Sequence, residues 1–291
     1  MFFKFEKNIL MRLTNYFLLL NFICFEAFGQ VNTPPASPRA KISQQLGLTQ
    51  VEVDYSRPSA RGRDIMGGLV RYGDIWRTGA NKNTTVSFSD AVEVAGKPLA
   101  GGKYALYTRP SNDQWEVYFY KKNNMGNASS NWEVDQVALT VVVQPVYFEP
   151  MVETFTISFS DLNSNGGTLN LIWEHTLVPI SLKVPTETKA LESIEKTLSD
   201  KPKAGDYYQA AVYYLEENKD LKKAQKWMEK ALEMRKNPAY WMYRQYALIL
   251  AKRNDKKAAL KAVKTSLELA QKAGNKDYVI MNKASITEWN K

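Results

Sequence analysis

Cysteine and histidine are almost missing: the 291-residue chain has one of each, Cys24 and His175. Cys24 sits in an apolar run near the N-terminus, so disulfides, thiol catalysis and cysteine metal sites are closed to the rest of the chain. One histidine cannot build a histidine-rich zinc site within one chain. Any Ser-His-Asp triad would have to form around His175. Long hydrophobic runs are missing too. YFLLLNFICF, residues 16–25, is the main N-terminal apolar run. It is about half the roughly 20 residues that a membrane span needs. There is no GxxxxGK, and no GxGxxG after a strand, so no phosphate loop of a known kind is present.

The N-terminus does carry an export pattern. Lys4, Lys7 and Arg12 give a basic start, the apolar run follows, and Ala27 and Gly29 occupy small-residue cleavage positions. Residues 1–29 therefore read as a signal peptide, with an uncleaved anchor as the alternative. The mature chain is expected to begin near Gln30, in the periplasm or outer envelope, with no transmembrane span after cleavage. The formal charge is +9, of which the signal segment holds +1. A mature charge of +8 favours anionic partners or surfaces. No nucleic-acid-binding motif accompanies it, so nucleic acid is not an expected partner.

Two halves follow a proline-rich leader at 30–40. Over 41–185 the period is two: Val51, Val53 and Tyr55 alternate with Glu52 and Asp54, and Phe155, Ile157 and Phe159 with Thr154, Thr156 and Ser158. Turn formers recur every 8–12 residues, and nine or ten short strands result. An antiparallel β-sandwich or partly open barrel is expected. Over 186–291 the period becomes 3.6, with an apolar stripe of Leu221, Ala224, Trp227, Met228 and Ala231. Asp220 and Asp255 stand at N-cap positions. The chain is thus α+β as two domains: a β-sandwich, then an all-α helical domain.

Residues 56–81, SRPSARGRDIMGGLVRYGDIWRTGAN, are the chemical anomaly. Five of the chain's 11 arginines fall between Arg57 and Arg77, and none of its 28 lysines. A guanidinium is a flat fork that grips a carboxylate or phosphate by two hydrogen bonds and stacks on aromatic rings. Two readings stay open. In one, this long connection plugs an end of the sandwich with Ile65, Met66, Leu69, Val70, Ile75 and Trp76, while the arginines bind strand carboxylates and carbonyls. In the other, it walls a cleft for an anionic or sugar-like ligand. The candidate binding residues are Arg57, Arg61, Arg63, Tyr72, Trp76, Arg77 and Asn81.

YSRPSARGRDIMGGLVRYGDIWRTGANKNTTVSFS, followed by VAGKPLAGGKYALYT, closely resembles a family of exported proteins common in Bacteroidetes and known as a domain of unknown function. The resemblance covers about 38–184, through Tyr55–Pro58, Gly67–Gly73, Trp76–Asn81 and Leu99–Thr108. Arg71 and Ala100 stand where that family usually has proline, and His175 where it has asparagine. The resemblance implies a fold and export, and no activity. Residues 206–288 resemble tetratricopeptide repeats, as helix, turn with Asp, helix.

The remaining constellations are weaker. By alternation His175 shares a face with Leu169, Leu171 and Trp173 and reads as a hydrogen-bonded strand end, or less readily as a general base. No carboxylate pair for glycosidase chemistry can be assigned. Asn83 and Asn127 begin glycan-acceptor triplets. Neither a metal nor a cofactor is implied. The dense aromatics of the helical half read as packing, or as a groove for a protein or peptide partner. The expected function is a non-catalytic envelope binding or scaffold protein. The alternative is a hydrolase acting on a polar or anionic envelope or polysaccharide substrate.

Overall fold

A computed structural model describes residues 33–122 and 132–291. The expected signal peptide and the Asn127 triplet lie outside them. Ten strands are found among the described residues: β1 Arg39–Leu46, β2 Thr49–Ser56, β3 Thr84–Phe88, β4 Val92–Val94, β5 Lys97–Leu99, β6 Gly102–Pro110, β7 Trp115–Tyr120, β8 Val137–Val143, β9 Val146–Asn163 and β10 Gly166–Lys183. They form a six-stranded sheet, β1-β2-β3-β6-β7-β8, and a four-stranded sheet, β5-β4-β10-β9. Every strand pair is antiparallel. The sheets are not closed into a barrel.

Alternation builds the core. Val51, Val53 and Tyr55 of β2 are at most 1% exposed and face Phe155, Ile157, Leu169 and Leu171 of the second sheet. The edge strand β9 tolerates Pro150, which has no N–H to give to a ladder. β1 carries only Ala40, Ile42 and a buried terminal Leu46 as apolar residues, so its largely polar sequence RAKISQQL conceals a strand.

One strand breaks its own alternation. In β10 the inward positions are Leu169, Leu171 and Trp173, then Val178, Ile180 and Leu182. The parity shifts at a bulge, where the register against β9 slips on both sides of Glu174 and Glu174 takes a φ of +49°. His175 is therefore turned out to solvent instead of joining the Trp173 face. Its Nδ1 lies 3.0 Å from the Phe148 carbonyl, and its ring stacks on Tyr147.

Six α-helices among the described residues form an all-α bundle: α1 Thr186–Ser199, α2 Ala204–Glu216, α3 Leu221–Glu233, α4 Tyr240–Lys252, α5 Lys256–Lys272 and α6 Lys276–Trp289. The Asp220 carboxylate accepts from the amides of Lys222 and Lys223, and the Asp255 carboxylate from that of Ala258, so both caps form as expected. Ala224, Met228 and Ala231 of the α3 stripe are fully buried, while Leu221 and Trp227 flank them.

The two halves meet at a three-way junction. Gly47, in the β1–β2 turn, lies against Thr186 of α1 and the Ser164 carbonyl of the β9–β10 turn. The Glu217 carboxylate accepts from Ser164 Oγ and Asn165 Nδ2. Lys189 Nζ of α1 sits 2.7 Å from Asp90 Oδ1 of the sandwich. That contact, with bonds from the Ser89 and Thr49 hydroxyls, holds the Asp90 carboxyl below the usual carboxylate range. A depressed folded pKa stabilises above the unfolded value of about 4 and loses that contribution as pH falls through the folded value. Melting temperature should therefore drop more steeply below about pH 4 in the native chain than in Asp90→Asn. Parallel pH profiles would count against this contact.

Candidate functional site

The arginine-rich connection is ordered in three parts. Arg57–Ala60 leaves the first sheet and lies along the open edge of β9. The Ala60 amide donates to the Glu153 carbonyl at 2.8 Å, and the Phe155 amide to the Pro58 carbonyl at 2.8 Å. Arg57 reinforces this seam, with Nε donating to the Phe155 carbonyl at 3.1 Å and Nη2 to Thr156 Oγ1 at 2.8 Å. An edge that would otherwise invite strand pairing is thereby covered.

The second part, Arg61–Val70, is a compact plug. Ile65 and Val70 are at most 3% exposed and enter the sandwich core, with Met66 against them. The Val70 amide donates back to the Ile65 carbonyl and the Leu69 amide to that of Asp64. Gly68 is required here: a Cβ would lie 2.3 Å from the Asp64 carbonyl oxygen. Leu69 does not plug the core, being 50% exposed.

The third part carries Trp76. Its amide donates to the Thr108 carbonyl at 2.7 Å, and the Thr108 amide returns the bond at 2.9 Å. The chain thus continues the position of β3 beside β6, and successive side chains take opposite faces of the sheet. Trp76 points inward, 5.8 Å from Trp173 in a stacked pair and 5.1 Å from Phe155. Ile75 points outward, to a second cluster of Ala105, Tyr107, Tyr118 and Tyr120 roofed by Trp132. Burial pushes the Tyr107 phenol up to about 12, and burial with the Glu116 hydrogen bond does the same to Tyr118. These tyrosines stay protonated at neutral pH. The aromatics of β6 and β7 are therefore packing groups of two opposed clusters.

Between plug and seam a cavity of about 450 Å³ opens. Trp76, Trp173, Pro58 and Val70 supply its apolar walls, and Arg63, Arg77 and Asn81 its polar ones. Arg63 is set by two bonds to backbone carbonyls, from Nε to Ala60 at 2.9 Å and from Nη2 to Ser59 at 2.7 Å. Arg77 is set by one, from Nη1 to the Asn81 carbonyl at 2.7 Å. Among the described residues, none of the five arginines forms an ion pair. The acid nearest in sequence, Asp54, pairs with Arg39 instead, at 2.7 Å. The guanidiniums of Arg57, Arg61, Arg63 and Arg77 are held by neutral oxygens, so their charges are oriented without being neutralised.

The seven candidate residues therefore divide. Arg63, Trp76, Arg77 and Asn81 line one cavity. Arg57 belongs to the β9 seam. Arg61, at φ +53°, donates its amide to Glu153 Oε1 and its Nη2 to the Ala36 carbonyl. Tyr72 lies elsewhere, on a smaller cavity of about 170 Å³ beside Trp115, Tyr147 and His175. Trp173 was not among the expected site residues, although its place on the inward face of β10 could be read from alternation. Among the described residues no cluster of three or more His, Cys, Asp or Glu side chains could hold a metal. Asn83, first residue of a glycan-acceptor triplet, is 2% exposed, so the folded chain leaves no room for a glycan there.

Residues 37–182 match the family model DUF2911, described as a protein of unknown function. The chain belongs to the DUF2911 family. The DUF2911 segment contains the arginine-rich connection, its cavity and nearly all of both sheets, and ends within β10. The helices fall outside it. Comparison with curated proteins and comparison with solved structures returned no match.

Proposed function

We propose that this DUF2911 protein is an exported, non-catalytic binding or scaffold protein of the cell envelope. Its sandwich takes a small anionic or sugar-like ligand in the Arg63–Arg77 cavity, and its tetratricopeptide-like helices present a surface to a protein or peptide partner. One observation carries the ligand reading. Two guanidiniums fixed by backbone carbonyls, with no acidic partner among the described residues, line a cavity walled by two tryptophans. A carboxylate or phosphate supplies the missing counter-charge and accepts paired hydrogen bonds, while the indoles receive an apolar or sugar body. The hydrolase alternative gains nothing from this lining, in which no described residue is a carboxylate or a histidine, the usual general acids and bases.

The test is a thermal-shift screen against benzoate, inorganic phosphate and neutral monosaccharides. A ligand present at about 100 times its Kd stabilises by about 2.7 kcal/mol, a shift of several degrees. Arg77→Ala is expected to cut the shift by about half or more while leaving the melting temperature of the free protein close to native. A screen in which no anion or sugar stabilises the chain would overturn the ligand reading.

A further inference from the structure

The positive charge of the protein is confined to one half. Residues 33–185 hold 14 basic and 14 acidic side chains and are neutral overall. Residues 186–291 hold 22 basic and 14 acidic side chains, a net of +8. Within the bundle, α3 and α5 together contribute +6.

Helical geometry places that charge. The buried residues of α5 are Ala259, Ala262, Val263, Ser266 and Ala270. At about 100° per residue, the direction opposite to them is occupied by Lys257, Lys261, Lys264 and Lys272, with Glu268 the lone acid of the stripe. All five are exposed. Opposite the buried Ala224, Met228 and Ala231 of α3 lie Lys222, Lys226 and Glu233, with Lys230 and Glu229 to either side, so this face of α3 nets only +1. Among the described residues only Lys230 of these lysines forms an ion pair, to Glu233.

We infer that the outward lysine stripe of α5 docks the protein peripherally on an anionic lipid bilayer. The side-chain chemistry selects this partner. Nineteen of the 22 bases in the bundle are lysines, compact point charges on flexible stems. A diffuse field of that kind suits mobile headgroups, whereas a fixed pattern of phosphates or sulfates is better matched by rigid guanidinium forks. The arginines are spent in the opposite way, in the sandwich, where geometry is fixed. No described helix is long and apolar enough to cross a membrane, so the contact would rest on charge.

The experiment is cosedimentation of the full mature chain with vesicles of equal parts phosphatidylglycerol and phosphatidylcholine, against vesicles of phosphatidylcholine alone. Binding is expected only to the anionic vesicles, at low salt, and is lost toward about 1 M salt, where screening acts within about 3 Å. Lys257→Glu/Lys261→Glu/Lys264→Glu should weaken partition at least roughly 100-fold, since each base near the surface contributes about fivefold. These side chains are exposed and outside any ion pair among the described residues, so the variant should keep its native circular dichroism. Glu268→Lys should bind more tightly than native, which guards against a loss caused by misfolding. Equal binding to neutral vesicles, full binding by the triple variant, or binding to soluble dextran sulfate without binding to vesicles would each overturn the inference.

Discussion

Trp173→Ala is expected to destabilise the protein by about 3–5 kcal/mol, a large fraction of the stability of an ordinary domain. Trp173 is 1% exposed. Its indole stacks on Trp76 at 5.8 Å and packs against Phe155 at 5.7 Å, and its Nε1–H donates to the Glu153 carbonyl at 3.1 Å. Truncation opens a void beneath the existing cavity and removes one of the two hydrogen bonds that the Glu153 carbonyl accepts. Trp76 would lose its stacking partner, and with it the connection that covers the β9 edge would loosen. Urea denaturation followed by far-UV circular dichroism measures the loss. A change below about 1 kcal/mol would mean that the connection holds its place without the tryptophan stack.

Gly47→Ala should do comparable harm by a different route. The glycine sits at φ +52°, and a Cβ there would lie 1.9 Å from Thr186 Oγ1 and 2.1 Å from the Ser164 carbonyl oxygen. The left-handed backbone alone costs an L-residue about 1–2 kcal/mol, and overpacking adds about 1–3 kcal/mol. The clash falls on the turn, the hairpin and the helix that join the two domains. The melting temperature should fall by several degrees, and limited proteolysis should begin to cut near Val184–Thr186. Ser164→Ala, which removes one exposed bond to Glu217 and one from Asn165, should leave both almost unchanged. Native-like resistance to protease in Gly47→Ala would show that the two halves do not depend on this junction.

Much of this architecture is legible in the residues. Alternation in VEVDYS and ETFTISF marks strands with one buried face, and the shift to a period of 3.6 at Thr186 marks the start of the bundle. The caps at Asp220 and Asp255 follow from side chains that can accept from orphan amides. What alternation cannot see is a change of parity. The bulge at Glu174 depends on strand pairing, so His175 reads as a core-face residue and lies in solvent. The same limit divides the arginines. Charge and spacing single out the segment. Whether a given fork reaches a β9 carbonyl, as Arg57 does, or faces the cavity, as Arg63 and Arg77 do, depends on contacts with strands about 100 residues away. Arg57 and Arg61 belong to the scaffold by this geometry, and Tyr72 to a separate cavity.

That division can be measured directly, by titrating the strongest ligand of the thermal-shift screen calorimetrically into Arg57→Ala and Arg77→Ala beside the native protein. The expected result is a crossover. Arg57→Ala loses about 1–3 kcal/mol of stability, through the two bonds it makes to β9, and keeps native affinity. Arg77→Ala keeps nearly native stability and binds at least about tenfold more weakly, as expected for a lost charged hydrogen bond of about 1.5–3 kcal/mol. Native affinity in Arg77→Ala, or a loss of affinity in Arg57→Ala at temperatures where that variant is fully folded, would contradict the assignment of the cavity as the binding site.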